Sequence, residues 1–284
     1  MSESVLRALS ITAAAHLAKW DGTVVPARDA ATVLVVRPAG SRIEVLLLRR
    51  QASMAFAAGM HVFPGGTVHP GDHSSVPWAG PAAEVWAQRW RCARELAAAL
   101  VAAAVRETFE ETGILLAGPP DGAVLGPVDG ADWRAARAAL EAGELTLGQF
   151  LHRRGLVLHA DRLAAWAHWI TPEFEPRRFD TRFFVAVLPA GAAGVRPDQD
   201  AAIRHGTEAD SSFWIEPAAA VQAAERSEIA MMAPTLATLR DLCDLDPAAV
   251  LSGAAQRPIT TVQPRLTVVD GQPRLTIEPD PAAS

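Results

Sequence analysis

The chain has 284 residues, of which 50% are hydrophobic, so it can form one large domain or two small ones around a substantial core. Its net charge of -6 argues against a nucleic-acid-binding face, and its two cysteines can build neither a disulfide framework nor a structural zinc site, which favours a reducing, cytoplasmic location. No stretch approaches the roughly 18 apolar residues of a membrane span, so we expect no membrane association.

The first part of the chain alternates strand and loop signals. Residues 1–29 are predicted to form an N-terminal arm with one helix over 5–19. A Gly65-Gly66 pair follows the apolar run His61-Val62-Phe63, where glycine lets the backbone turn tightly or approach a ligand closely. The remaining predictions are strands over 31–37 and 43–49, and a loop with little structure over 70–81.

The second part is predicted to mix helices and strands. Residues 82–112 contain few helix breakers and form either one long helix or two. No Gly-x-Gly-x-x-Gly or Gly-Lys-Ser/Thr motif occurs, which argues against a Rossmann domain or a P-loop fold. The other predicted elements are helices over 133–141, 147–154, 217–225 and 234–242, strands over 166–170, 183–188 and 212–215, and a hairpin of strands over 265–269 and 274–277.

An acidic stretch ends the long helical region. On a helix, Glu107, Glu110 and Glu111 project from one face, with Arg106 beside them. Crowded carboxylates repel one another unless a cation is present, and clustered oxygen ligands suit Mg²⁺. Gly113 is placed to end the helix in a left-handed cap. The alternative is a solvated acidic helix end, which is common on protein surfaces.

The order of these motifs resembles the Nudix hydrolases, whose signature is a Gly, five residues, a Glu, seven residues, then Arg-Glu-aliphatic-any-Glu-Glu-any-Gly-aliphatic. The second half is present from Arg106 to Ile114, with Thr108 at the aliphatic position. The glycine half lies upstream at Gly65-Gly66, so the box carries an insertion over about residues 72–95. The upstream Glu is missing, and Asp72 and Glu95 are the candidates to replace it. Such an insertion is similar to that of the peroxisomal coenzyme A diphosphatase type.

This resemblance implies an α/β fold, a Nudix α/β/α sandwich with a mixed central sheet and a helical insertion. The implied Nudix domain covers residues 30–245, with a helical insert at about 130–160 and a C-terminal tail with a hairpin over 246–284. The implied reaction cleaves a phosphoanhydride of coenzyme A or acyl-CoA to 3',5'-ADP and 4'-phosphopantetheine. An ADP-ribose or NADH diphosphatase and a non-catalytic nucleotide-binding sensor are the alternatives.

The resemblance also implies roles for individual residues. Glu107, Glu110 and Glu111 would bind Mg²⁺ or Mn²⁺, and Arg106 would orient a carboxylate. Either Glu107 or Glu111 is the implied general base, and Glu208 is a further candidate from a loop. The implied substrate is a small nucleotide derivative, with no nucleic acid as partner. The inserted helices are candidates for a lid or for a homodimer surface.

Substrate-binding residues are implied by a motif that coenzyme A-directed members carry before the box. Apart from that motif, Arg177, Arg178 and Arg182 are candidates to bind phosphates, since arginine forks match phosphate geometry, and a solvated strand edge is the alternative. The motif matches Arg50, Gly59, Phe63, Pro64, Gly65 and Gly66, whereas its second arginine position is Ala55.

Overall fold

The computed structural model describes residues 5–8, 10–51, 58–122, 126–188 and 209–277. The helices are α1 (Ile11–Lys19), α2 (Ala83–Trp90), α3 (Arg94–Thr112), α4 (Ala131–Glu141), α5 (Leu147–Arg154), α6 (Pro217–Glu225), α7 (Ala233–Arg240) and α8 (Pro247–Gln256). The strands are β1 (Val5–Ala8), β2 (Arg28–Ala39), β3 (Arg42–Arg50), β4 (His61–Val62), β5 (Gly65–Thr67), β6 (Trp78–Ala79), β7 (Ile114–Leu115), β8 (Ala117–Gly118), β9 (Gly126–Pro127), β10 (Val157–His159), β11 (Leu163–Ile170), β12 (Phe179–Val187), β13 (Ala209–Ile215), β14 (Thr261–Val262), β15 (Arg265–Val269) and β16 (Gln272–Ile277).

The central sheet has the strand order β13-β3-β2-β12-β11-β14, with β4 paired to β3 and β5 paired to β2. The pairs β2–β12 and β11–β14 are parallel, whereas β2–β3, β11–β12 and β3–β13 are antiparallel. The mixed central sheet predicted from the sequence is therefore confirmed.

The two faces of this sheet carry separate hydrophobic cores. Side chains alternate along β2, so that Val33 and Val35 pack into the core beneath α2, α3 and α5, while Leu34 and Val36 pack into the core beneath α6, α7 and α8. The alternation produces three layers, helices on each face of one sheet, and confirms the α/β/α sandwich.

Helix α3 lies buried against the sheet because its apolar residues are mostly small. Its buried alanines include Ala97, Ala99, Ala102, Ala103 and Ala104, which are 0% exposed. Such small side chains let a helix approach its neighbours closely on several sides. The site residues at the end of α3 are therefore placed on a rigid, deeply packed element.

The region predicted as one or two helices forms two, α2 and α3. They are separated at Arg91, which takes a left-handed conformation with φ of 52°. The prediction of little structure over 70–81 is wrong, because a 3-10 turn spans Pro70–His73 and β6 follows it. The turn is stabilised by a side chain, since Asp72 Oδ2 accepts the backbone N–H of His69 at 2.8 Å.

The N-terminal helix predicted over 5–19 is wrong in its first part. Residues Val5–Ala8 form β1, which pairs with β16 of the C-terminal hairpin, and α1 begins only after Ser10. Ser10 Oγ accepts the N–H of Ala13 at 3.1 Å and so provides a helix N-cap. The helix was predicted to start too early because β1 forms by pairing with β16, a segment distant in sequence that local patterns cannot reveal.

The C-terminal hairpin is confirmed. Its turn residues Asp270 and Gly271 have φ of 51° and 73°, the left-handed pair that a two-residue hairpin turn requires. Beyond residue 245, α8 places Val250 and Ala254 in the second core, both 0% exposed. The domain boundaries themselves stay a prediction. Among the helices of the described ranges, none is long and apolar enough to cross a membrane.

Candidate active site

Arg106, near the end of α3, is the centre of the candidate site, and its side chain is only 5% exposed. Its Nε and Nη2 donate to the two carboxylate oxygens of Asp72 at 2.8 and 2.9 Å. Its Nη1 donates to Glu107 Oε1 at 2.9 Å and to Glu110 Oε2 at 3.0 Å. The planar fork of a guanidinium suits this arrangement. One arginine therefore holds three carboxylates in fixed positions.

The glycine pair of β5 packs directly against α3. The N–H of Gly65 donates to Glu111 Oε2 at 2.9 Å. A Cβ on Gly66 would overlap the carboxylate of Glu107, and a Cβ on Gly65 would overlap the backbone of Ala31. Glycine is required at position 65 because the close atoms are backbone, whereas a side chain at position 66 would displace the carboxylate of Glu107. The two halves of the split box thus meet in space.

Glu110 is the least well satisfied member of this group. Burial raises the pKa of Glu110 to about 7, and the charge of Glu107 adds to the rise, while Arg106 opposes it. Glu110 Oε1 is buried and has no hydrogen-bond partner in the described part of the structure. A buried carboxylate oxygen without a donor is costly, so this atom is suited to receive a cation or a proton.

The acid that pairs with Arg106 is Asp72, and not Glu95. Asp72 lies on the 3-10 turn inside the box insertion, and its side chain is 1% exposed. Glu95 lies on the first turn of α3, about three helical turns from Arg106. Its side chain is 73% exposed and lies 3.9 Å from Arg94. The contact with Arg106 therefore favours Asp72 as the replacement for the upstream Glu, and that role stays a prediction.

The donor chemistry of the site fits a divalent cation. Three carboxylates, those of Asp72, Glu107 and Glu110, surround one guanidinium, and Glu111 accepts the N–H of Gly65 beside them. Glu110 Oε1 has no donor in the described ranges. Within the described ranges, however, no group of three or more His, Cys, Asp or Glu side chains is arranged to hold a metal ion. One oxygen of Glu107 and one of Glu110 contact Arg106. The three-carboxylate metal site stays a prediction.

Thr108 departs from the aliphatic residue of the family signature, yet it fits a fully buried position. Its hydroxyl donates to the carbonyl of Ala104 at 2.8 Å, so the polar group is satisfied within the helix. Gly113 ends the helix with φ of 75°, and its N–H donates to the carbonyl of Phe109 at 2.8 Å. The predicted helix stop is confirmed.

Sequence reasoning missed Arg137, which reaches α3 from α4 of the helical insert. Its Nε donates to the carbonyl of Glu110 at 2.5 Å. Aromatic packing also joins the insert to α3, since Phe109 stacks on Phe150 at 5.4 Å between ring centroids and meets the edge of Trp133 at 6.4 Å. An arginine in an amphipathic helix carries no local signal of such a contact.

The remaining predicted substrate-binding residues lie in different surroundings. Arg50 and Gly59 are joined by a backbone hydrogen bond, in which the N–H of Gly59 donates to the carbonyl of Arg50 at 3.1 Å. Phe63 is 3% exposed and packs in the second core, while the carbonyl of Pro64 accepts the N–H of Val33. Their role in binding stays a prediction. Two residues named in the sequence analysis lie outside the described ranges. They are Ala55, at the second arginine position of the substrate motif, and Glu208, the further candidate for the general base.

Two of the three candidate phosphate-binding arginines lie before β12, and the third, Arg182, lies within it. The guanidinium of Arg182 forms ion pairs with Asp29 and Asp180, at 2.8 Å each. Arg178 is 8% exposed, and its guanidinium donates to the carbonyls of Thr171 and Val25 at 3.1 and 2.8 Å. Arg177 is exposed to solvent. The guanidinium of Arg178 is therefore occupied by backbone carbonyls. Phosphate binding by any of the three arginines stays a prediction.

Comparison with known proteins points to one family. Residues 91–242 match the family model described as the NUDT19 Nudix domain. The chain is 28% identical to acyl-coenzyme A diphosphatase NUDT19 of Gallus gallus over 76% of this chain and 68% of that protein. It is 27% identical to the Xenopus laevis protein of the same name, over 73% of this chain and 61% of that protein. Among solved structures, it is similar to a NUDIX hydrolase from Alicyclobacillus acidocaldarius, with 28% identity, a TM-score of 0.64, and coverage of 81% of this chain and 97% of that one.

Proposed function

The chain belongs to the Nudix hydrolase family, in the group described by the NUDT19 Nudix domain, and from this membership we propose that it cleaves the phosphoanhydride of coenzyme A or an acyl-CoA. The products would be 3',5'-ADP and a 4'-phosphopantetheine species. The observation that carries the proposal is the buried group of Arg106 with Asp72, Glu107 and Glu110 beside the Gly65-Gly66 pair of β5. The names of the relatives support the choice of substrate.

We propose that Glu107, Glu110 and Glu111 hold Mg²⁺ or Mn²⁺ when the enzyme is active. A divalent cation supplies charge neutralisation at the phosphate oxygens as the bond breaks. The unpaired oxygen of Glu110 and its raised pKa support this assignment, because both indicate a buried carboxylate that Arg106 satisfies only in part. In the same proposal, Arg106 is a positioning residue that keeps Glu107 and Glu110 side by side.

The remaining residues of the site hold the charged side chains in place, activate the water or contact the substrate. Asp72 fixes the guanidinium of Arg106 through two hydrogen bonds, and the N–H of Gly65 fixes Glu111. Either Glu107 or Glu111 would take a proton from the attacking water, as the family resemblance implies. Arg50, Gly59 and the Phe63–Gly66 segment are proposed to contact the substrate, with Arg177 and Arg178 as proposed phosphate-binding residues.

A substrate panel tests the proposal. The purified protein is incubated with coenzyme A, acetyl-CoA, ADP-ribose, NADH and ATP, each with Mg²⁺ or Mn²⁺, and products are separated by chromatography. We expect release of 3',5'-ADP from the coenzyme A substrates. Preferential cleavage of ADP-ribose or NADH would support the alternative diphosphatase, which the alanine at position 55 keeps open. Activity confined to ATP would reject both.

The matched variants are Glu110→Gln in the site and Glu95→Gln on the exposed first turn of the same helix. We expect Glu110→Gln to lower kcat by about 100-fold or more, because the variant removes a carboxylate charge from the site. Glu95→Gln should leave kcat unchanged, since its side chain is 73% exposed. Equal activity of Glu110→Gln and the parent protein would place the centre elsewhere.

A non-catalytic nucleotide sensor is the second candidate, motivated by the missing upstream Glu of the box and by Thr108 at the aliphatic position. Calorimetry with coenzyme A and ADP-ribose, run beside the turnover assay, separates the two. Tight binding of a nucleotide without turnover under any metal condition would favour the sensor.

A cytoplasmic location and a homodimer are also proposed. Cys92 and Cys243 are both free thiols, which fits a reducing compartment. The dimer is proposed through the inserted helices, and light scattering of the purified protein checks it. A monomer at all concentrations would reject that part of the proposal.

A further inference from the structure

The end of α3 has a carbonyl that the helix itself does not satisfy. In an α-helix, the carbonyl of Glu110 would accept the N–H of Ile114, four residues later. That N–H instead donates to Thr112 Oγ1 at 3.0 Å, because Gly113 turns the chain into a left-handed cap. The last carbonyls of a helix need other donors when they are buried. Glu110 therefore requires a donor from elsewhere at the turn that carries two of the proposed metal ligands.

Arg137 supplies that donor from the helical insert. Its Nε lies 2.5 Å from the carbonyl of Glu110, 27 residues earlier in the chain. The last turn of α3 contains no basic residue of its own, so Arg137 also brings the positive charge that the negative end of a helix dipole favours. Burial lowers the pKa of Arg137, and the carboxylates of Glu141, Glu111 and Glu110 oppose that effect. Its guanidinium is thus next to the acidic end of the helix.

Building on the proposed function, we propose that Arg137 is a positioning residue, which fixes the last turn of α3 so that Glu110 and Glu111 are presented to the divalent cation. The insert holds Arg137 in place, because Trp133 and Phe150 of α4 and α5 pack on Phe109 of α3. Partners of metal ligands that do not touch the metal commonly change affinity or activity by about 10- to 100-fold. In this proposal, the helical insert contributes to catalysis through Arg137.

The side chain also has an unused donor. Nη2 of Arg137 is buried and has no hydrogen-bond partner in the described part of the chain. A buried donor without an acceptor is costly. It is explained if the metal-loaded arrangement brings a carboxylate oxygen of Glu110 or Glu111 within reach of Nη2.

The test compares Arg137→Ala and Arg137→Lys with two controls from the same insert. Arg134→Ala removes an exposed arginine that pairs with Asp129. Arg154→Ala removes a guanidinium stacked 3.9 Å above Trp133, and so weakens the packing of the insert without touching the carbonyl of Glu110. Mn²⁺ affinity is measured by calorimetry without substrate, and kcat and KM are measured on the substrate that the panel identifies.

We expect Arg137→Ala to weaken Mn²⁺ binding and to lower kcat by about tenfold each, with KM changed less than about twofold. Arg137→Lys should retain part of the Mn²⁺ affinity and part of kcat, because lysine keeps the positive charge but lacks the planar guanidinium. Hydrogen–deuterium exchange should be faster over residues 107–113 in Arg137→Ala alone.

Two outcomes would overturn the inference. One is equal behaviour of Arg137→Ala and Arg154→Ala, which would show a purely structural effect on the insert. The other is a KM increase of about tenfold with unchanged Mn²⁺ affinity, which would show direct contact with substrate. If the parent protein cleaves none of the substrates, the proposed function fails, while Mn²⁺ affinity and hydrogen exchange still test Arg137.

Discussion

At the scale of single residues, the site is built from one buried cation and several buried anions. The Arg106–Asp72 pair is almost completely removed from solvent, with side chains 5% and 1% exposed. Although burial alone would lower it, the pKa of Arg106 is raised by the hydrogen bond to Asp72 and by the charges of Glu107, Asp72 and Glu110. Arg106 therefore stays charged, and loss of one partner leaves the others poorly compensated.

Asp72→Asn tests the selection of Asp72 over Glu95. The variant keeps the shape of the side chain but removes its charge, so we expect kcat to fall about tenfold and the free energy of unfolding to fall by about 3 kcal/mol. Urea denaturation and turnover assays measure the two effects. Glu95→Gln is the control, and a larger loss of activity in Glu95→Gln than in Asp72→Asn would contradict the pairing seen in the structure.

At the scale of elements, the ends of β2, β11, β12 and β14 meet in a polar row on the face that α2 and α3 cover. Asp180 Oδ1 lies 2.5 Å from His168 Nε2 and 2.8 Å from Arg182 Nη1, and Thr261 Oγ1 lies 2.9 Å from His168 Nδ1. Burial works to raise the pKa of Asp180, but the bond to His168 and the charge of Arg182 lower it overall. These contacts join strands that are distant in sequence, including β14 at the sheet edge.

Asp180→Asn should destabilise the fold in a pH-dependent way. Because the pKa of Asp180 is lower in the folded state than its reference value of 3.8, its ionised form stabilises the protein above that pH, and the stabilisation is lost as pH falls through the folded-state pKa. We expect a loss of about 2 kcal/mol near neutral pH that shrinks on acidification.

Urea denaturation from about pH 3 to about pH 7 measures the effect of Asp180→Asn. Asp121→Asn, at an exposed loop position, is the matched control and should show no such trend. A loss of stability in Asp180→Asn that is independent of pH would mean that packing, and not ionisation of this carboxyl group, accounts for the effect.

At the scale of the whole molecule, the C-terminal segment is part of the sandwich. Val250 of α8 is 0% exposed in the second core, and β14 pairs in parallel with β11. Arg257, just after α8, donates to the carbonyl of Trp166 at 2.8 Å. Residues beyond the predicted boundary at 245 thus contribute to the layer opposite the candidate site.

Val250→Asp measures how much this layer depends on α8. A charge in the core cannot be solvated, so we expect a loss of stability of at least about 3 kcal/mol, or failure to fold. Ser252→Asp, two residues later on the exposed side of the same helix, should change stability by less than about 0.5 kcal/mol. Thermal unfolding followed by circular dichroism compares them. Equal melting temperatures would show that α8 is not needed and that the fold ends near residue 245.

Much of the fold and half of the site followed from local signals in the sequence. The hydrophobic pattern predicted β2 and β3, and the spacing of Glu107, Glu110 and Glu111 placed them at the end of a helix, because side chains three and four residues apart share a face. Gly113 as the helix end and Asp270-Gly271 as the hairpin turn were also predictable, since both need left-handed backbone.

The rest depended on contacts between segments distant in sequence. Asp72 pairs with Arg106 across 34 residues, and Arg137 reaches the carbonyl of Glu110 across 27. In their neighbouring sequence, Asp72 and Arg137 do not differ from acids and arginines that lie on the surface. Spacing therefore could not select Asp72 over Glu95 or single out Arg137. The sequence by itself determined which carboxylates share the end of α3. Tertiary structure alone decided which charges hold them, because that choice depends on which loops and helices the folded chain brings beside the helix.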